Sequence, residues 1–137
     1  MIITKAVRSD IYSITRAIQN KHIDYLTPEH VREDIYNNRL YKCVEKGKTI
    51  AIVSVVWDNT YKYYAIKRLC ILRKENIGKH IASFFLEYIQ NEHQYNGEKI
   101  GCTPWIDNGP MRHILEKEGF VLEYIFSEKW CFYSWEL

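Results

Sequence analysis

The chain has 137 residues, of which 47 % are hydrophobic, and its 19 Lys and Arg against 17 Asp and Glu leave a net charge of +2. That length fits one domain, residues 1–137, with enough apolar side chain for a real core. The near balance of charge gives no electrostatic footprint for nucleic acid, and the longest apolar run, IAIVSVVW, falls far short of the roughly 20 residues that a bilayer-spanning helix needs.

The amino-terminal stretch, MIITKAVRSD, lacks the apolar segment of a secretory leader, so a soluble, cytoplasmic protein with no membrane partner is expected. Residues 2 to 7 alternate loosely and read as a first strand. Ser9 or Asp10 then caps a helix whose apolar face carries Ile11, Ile14 and Ile18. Thr27 followed by Pro28 starts a second helix, with Val31 and Ile35 as its stripe. LYKCVE-KGK-TIAIVSVVW predicts a hairpin with Gly47 in the turn, and the Asp-Asn-Thr stretch at 58–60 a second turn into a strand over 61–72. These three strands form an antiparallel meander.

RKENIGKH, residues 73–80, leads into a helix of about fifteen residues that buries Ile81, Phe85, Tyr88 and Ile89. EKIGCTPW reads as a fifth strand. A strand, a helix and a strand in this order make a βαβ unit, so the fourth and fifth strands should run parallel. Asn108 caps a short helix with Pro110 in its first turn and with Met111, Ile114 and Leu115 facing inward; Gly119 stops it. Two last strands, 120–126 and 129–136, turn at Ser-Glu-Lys. The order predicts an α+β domain: a central mixed, mostly antiparallel sheet of about seven strands with helices on both faces. The aromatic C-terminal strand, WCFYSW, offers an edge for pairing with a second subunit as a homodimer.

Cys43, Cys70, Cys102 and Cys131 are far apart in sequence and form no zinc or redox motif; they read as buried free thiols of a reducing compartment. The five histidines include no H-x-x-x-H pair, and no metal is expected.

Two segments carry a resemblance. RLCILRKENIGKHIASFFLEYI resembles the acetyl-CoA motif of the GNAT N-acetyltransferase superfamily, written R/Q-x-x-G-x-G/A, between the fourth strand and the third helix. NGPMRHILEKEGF resembles that family's later motif, an asparagine, a short helix and a Gly-Phe pair, and the element order matches over essentially the whole chain. The resemblance implies a three-layer GNAT-like fold and an acetyl-CoA-dependent N-acetyltransferase whose acceptor is a small-molecule amine or a protein amino group. It implies that Cys70, Ile71 and Leu72 meet the pantetheine arm, and that a backbone N–H there polarises the thioester. It implies a diphosphate loop of Asn76, Ile77, Gly78, Lys79, His80 and Ile81, with Asn108 also near the cofactor. The physical basis is general: the first turn of a helix presents unpaired N–H groups and the positive end of the dipole, and glycine lets the backbone come close to an anion.

The motif is worn. With Gly78 on its first glycine, Glu75 stands where arginine or glutamine is expected and His80 where glycine or alanine is. The tyrosine that protonates the departing thiolate in many members is replaced by Leu115. A thiolate, with a pKa near 8.5, leaves readily without help, but an ammonium near 10.4 costs on the order of 4 to 5 kcal/mol to deprotonate at pH 7. A base therefore matters more, and Asp58 and Asp107 are its candidates. Both also suit bland roles, a turn residue and a helix cap. Trp57, Tyr61, Tyr63 and Trp105 are candidates for an aromatic acceptor pocket, against ordinary strand packing. A GNAT-like domain that binds without catalysing is the alternative. A nucleotide-binding domain lacks its G-x-G-x-x-G after the first strand.

Overall fold

A computed structural model describes residues 1–20, 26–78 and 80–137; Lys79 of the expected diphosphate loop lies outside them. The strands are β1 (Ile2–Lys5), β2 (Leu40–Glu45), β3 (Lys48–Asp58), β4 (Tyr63–Ile71), β5 (Ile100–Cys102), β6 (Val121–Phe126) and β7 (Trp130–Trp135). The helices are α1 (Ile11–Asn20), α2 (Pro28–Tyr36), α3 (Ile81–Asn91) and α4 (Gly109–Lys117). The strands form one seven-stranded sheet in the order β1-β2-β3-β4-β5-β7-β6. The β4–β5 pair is parallel, while β1–β2, β2–β3, β5–β7 and β6–β7 are antiparallel. The fold is the α+β mixed sheet that the element order predicts.

Two compact units divide the chain. The first comprises Met1–Val55 and Arg68–Ile81. The second helix starts at its expected cap, but the first does not: a 3-10 turn over Arg8–Asp10 leads into α1, so neither Ser9 nor Asp10 is its N-cap. Asp10 accepts the Val7 N–H, and the Thr27 hydroxyl accepts the His30 N–H at 3.2 Å. Ile14 and Ile18 of α1 pack with Val31 and Ile35 of α2 and with Leu40, Ile52, Cys70 and Leu72. Residues 50–55 of β3 are buried without a break, so both faces of that strand are covered. Lys46 and Gly47 take positive φ of +51° and +74°, which gives the β2–β3 hairpin its two-residue turn.

The second unit comprises Val56–Lys67 and Ala82–Leu137. Phe85, Leu86 and Ile89 of α3, Ile100 of β5, Leu115 of α4 and Tyr133 of β7 are fully buried in it. The Tyr133 hydroxyl accepts from Arg112 Nε at 3.0 Å and donates to Glu116 at 2.9 Å, which ties α4 to the sheet. Asn108 caps α4 by accepting the Met111 N–H, as its position predicts.

Several boundaries differ from the sequence reading, each for a local reason. β4 starts at Tyr63, not at 61, because Asp58 Oδ1 accepts the Thr60 and Tyr61 N–H groups at 2.9 Å and holds both residues in the turn. α3 has 11 residues instead of about fifteen; a 3-10 turn over His93–Tyr95 then carries Tyr95 onto the Tyr64 ring, 4.6 Å away. Leu86 joins the buried face of α3, and Tyr88 is only half-buried. β5 is three residues long, since Pro104 lacks the N–H that a ladder needs, and Trp105 makes only an isolated bridge to Trp130. β7 has β5 on one side and β6 on the other, so it is interior and does not offer its edge to a second subunit. The sheet ends at β6, whose six residues are all exposed.

Candidate active site

The loop after β4 belongs to the first unit. It opens at Arg73, makes a 3-10 turn over Lys74–Asn76 and reaches α3 through Gly78 and His80. Gly78 has φ +86°, a conformation that side chains rarely adopt, and a Cβ there would meet nothing within 4 Å. Its backbone therefore lies open. His80 is also left-handed, at φ +59°, and exposed. Glu75 and Ile77 are exposed, while Asn76 is buried. Arg73 Nε is buried and has no hydrogen-bond partner among the described residues. A buried donor left unpaired costs free energy until something accepts from it.

Upstream of the loop, the Leu72 N–H donates to the Ile50 carbonyl at 2.8 Å and is thereby committed. Cys70 and Ile71 precede it on β4, where Cys70 is buried. Arg68 takes φ +52° inside the strand, and its Nη1 reaches both oxygens of buried Asp34, at 3.0 and 3.3 Å. Asp34 also accepts from Arg39 Nε at 2.8 Å and from the Ser54 hydroxyl.

A separate pocket of about 560 Å³ lies wholly in the second unit. Tyr63, Tyr124, Phe126 and Phe132 give it aromatic walls. Tyr124 stacks on Phe132 with centroids 5.2 Å apart, and Tyr63 meets Phe132 edge-on at 5.2 Å. Beneath them is Gly101 of β5: a Cβ there would stand 2.7 Å from the rings of both Tyr63 and Phe132. The polar lining is Asp58, Lys99, Thr103 and Glu123, with largely exposed Tyr61 beside them. Burial, and then the neighbouring Asp58 carboxylate, push the Tyr63 phenol above its ordinary pKa. Lys99 Nζ sits 3.2 and 3.3 Å from the two oxygens of Glu123.

Of the residues singled out from sequence, the pocket gathers Asp58, Tyr61 and Tyr63. Trp57 packs on Tyr64 at 4.8 Å and Trp105 on Trp130 at 5.1 Å. Asp107 and Asn108 are exposed and line no part of it. Sequence reasoning missed Gly101, Lys99 and the β6–β7 contribution. Two signals were there: a glycine inside a strand marks a close approach, and Tyr124 and Phe126 share a face by the period of two.

No model of a known protein family matches the sequence, and no curated protein does. Solved structures match over nearly the whole chain. An acetyltransferase of the GNAT family from Streptococcus agalactiae is 18 % identical with a TM-score of 0.81, covering 99 % of this chain and 95 % of that one. The chain has the GNAT fold. Other structures with this fold include Ard1 from Thermoplasma volcanium, 16 % identical with a TM-score of 0.69, covering 99 % of this chain and 97 % of that one. A spermidine N-acetyltransferase chimera from Vibrio cholerae and hSSAT is 16 % identical with a TM-score of 0.71, covering 98 % of this chain and 93 % of that one. Within its GNAT fold this chain buries Leu115 completely, so α4 offers no proton donor at that place. No helix among the described residues is long and apolar enough to cross a membrane, and no group of His, Cys, Asp and Glu among them is arranged to hold a metal ion.

Proposed function

We propose that the chain is an acetyl-CoA-dependent N-acetyltransferase that acts on an amine of a small molecule or a protein in the cytoplasm. The observation that carries the reading is the GNAT fold over 99 % of the chain. The similar structures include one named a spermidine N-acetyltransferase, which supports an amine as acceptor.

The loop fits a diphosphate. Arg73 brings a buried donor that has no partner among the described residues, and Gly78 leaves its backbone open where the chain turns into α3. The first turn of that helix adds unpaired N–H groups and the positive end of its dipole. Exposed Glu75 keeps its charge in solvent, which lessens its conflict with an anion. When bound, acetyl-CoA supplies an acetyl group already activated as a thioester. The Leu72 N–H is committed to Ile50, which removes it as an oxyanion donor. The neutral amine donates its lone pair to the thioester carbon, the new C–N bond replaces the C–S bond, CoA leaves as thiolate and the amine loses a proton to water. Leu115 withholds an acid, and the thiolate leaves unaided because its pKa is near 8.5. The four free, buried thiols suit a reducing compartment.

The complete burial of Leu115 also suits a second reading, a GNAT-fold domain that binds acyl-CoA without turning it over. Two measurements separate them. Acetyl-CoA at 100 times its Kd should raise stability by about 2.7 kcal/mol, visible as a higher Tm; no shift at millimolar acetyl-CoA defeats both readings. Thiol release from acetyl-CoA across a panel of amines then shows turnover, and its absence with binding intact leaves the second.

A further inference from the structure

The loop that fits a diphosphate follows the last residues of β4, and that end of the strand carries a strained residue. We propose that Asp34 of α2 is a positioning residue for acetyl-CoA, an inference that rests on the function proposed above. Asp34 holds Arg68 in a left-handed conformation and thereby sets the course of residues 69–73 into the loop. All of these residues belong to the first unit.

Arg68 takes φ +52° inside β4. In that region a Cβ crowds the backbone carbonyl, and only glycine visits it routinely. A residue held there against its preference needs surroundings that fix it. Asp34 supplies them. Arg68 Nη1 lies 3.0 and 3.3 Å from the two carboxylate oxygens. Asp34 is 1 % exposed, so water does not compete freely for those oxygens. The carboxylate is itself fixed from two other places: Arg39 Nε donates to it at 2.8 Å and the Ser54 hydroxyl donates from β3. Arg39 is tied back in turn, its Nη2 reaching Glu33 at 2.9 Å. Arg68 therefore meets a rigid, charge-assisted acceptor with a defined direction.

The consequence lies downstream. Cys70 and Leu72 follow Arg68 at the strand period of two and pack with Ile14, Ile18, Val31 and Ile35. The Leu72 N–H reaches the Ile50 carbonyl at 2.8 Å. Arg73, with its buried Nε, comes next, and the 3-10 turn over Lys74–Asn76 leads on to Gly78. A change of φ at residue 68 redirects every one of these, because a slip in a strand turns its side chains to the other face. Apolar packing of Cys70 and Leu72 resists that weakly, being non-directional. The contact with Asp34 is directional. Releasing Arg68 lowers the fraction of chains whose loop is placed for the ligand, and the apparent affinity falls with that fraction.

The test compares variants of the whole chain by isothermal titration with acetyl-CoA. Asp34→Asn and Arg68→Ala should each weaken binding about tenfold, the scale of the penalty on an L-residue in the left-handed region. Arg68→Gly removes the same guanidinium but needs no holder. It should bind about tenfold tighter than Arg68→Ala, and Asp34→Asn/Arg68→Gly should bind tighter than Asp34→Asn to a similar extent. A contact that merely stabilises the fold gives glycine no advantage over alanine. Amide hydrogen exchange at Leu72 reads the strand without ligand: it should be faster in Asp34→Asn and Arg68→Ala than in Arg68→Gly. Circular dichroism melts establish that the variants fold; if Asp34→Asn unfolds, the two Arg68 variants decide. Equal affinities of Arg68→Ala and Arg68→Gly overturn the proposal, as does an Asp34→Asn that Arg68→Gly leaves unrescued. Absence of binding by the unsubstituted chain sinks the acetyl-CoA reading instead, and the order of Leu72 exchange rates then upholds or overturns the hold of Asp34 on the strand.

Discussion

At the scale of single residues, two glycines make opposite demands. Gly101 is needed for space, because a Cβ would stand 2.7 Å from three ring atoms of Phe132 and Tyr63. Neither ring can move freely, since Phe132 is buried and both belong to strands. Gly101→Ala should cost about 1 to 3 kcal/mol in urea unfolding through overpacking. Gly78 is needed for its backbone, at φ +86° with open space around the Cβ position. Gly78→Ala should cost only about 1 to 2 kcal/mol, and its larger effect should be a higher Kd for acetyl-CoA, measured by the Tm shift. A similar loss of stability in both variants with unchanged ligand binding would contradict this division of roles.

At the scale of elements, buried Asp34 of α2 is a hub of the first unit. It bonds Arg39, Arg68 of β4 and Ser54 of β3, so one carboxylate joins a helix to two strands. Arg68 pays for its left-handed φ of +52° inside a strand through that contact. Asp34→Ala should therefore destabilise by about 3 kcal/mol, because it leaves two guanidinium groups with a lost partner, each still partly reached by water. Arg68→Ala on that background should add less than it does alone, since the two act as one network. Helix starts are simpler. Thr27 caps α2, and Thr27→Ala should cost about 1 kcal/mol. Both are read from denaturant midpoints.

At the scale of the whole molecule, stability should fall at high pH. The Cys102 thiol is buried, and burial pushes its pKa from 9.0 up to about 12. Burial also raises Cys43, Cys131, Tyr63 and Tyr133 above their ordinary values. Between pH 9 and about 12 the unfolded Cys102 has lost its proton while the folded one keeps it. The folded state then binds more protons, and the free energy of unfolding drops by up to about 1.4 kcal/mol per pH unit for one such group. The stabilising contribution is complete below pH 9 and is lost as pH climbs toward about 12. Urea unfolding of the chain and of Cys102→Ala across this range checks it: the variant should show the shallower slope. Thiol labelling at pH 8 should likewise be slow for all four buried cysteines until denaturant is added.

The local signals in the chain were enough for its element order. Thr27-Pro28, Asn108, Gly119 and the Lys46-Gly47 turn each act over three or four residues, so their effect can be read from neighbours alone. The βαβ order made β4 and β5 parallel for a similar reason, since a helical crossover leaves few other ways to return to the sheet. The worn loop around Gly78 was legible by position, between a strand and a helix. The pocket was only partly legible. Asp58 and Tyr63 lie near each other in sequence, but Glu123, Tyr124 and Phe132 come from strands sixty or more residues away, and only β5–β7–β6 pairing brings them together. Tertiary structure also decided which groups were still available. Hydrogen bonds between distant segments commit the Leu72 N–H to Ile50 and Glu123 to Lys99, because pairing of donors and charges depends on which segments meet in space.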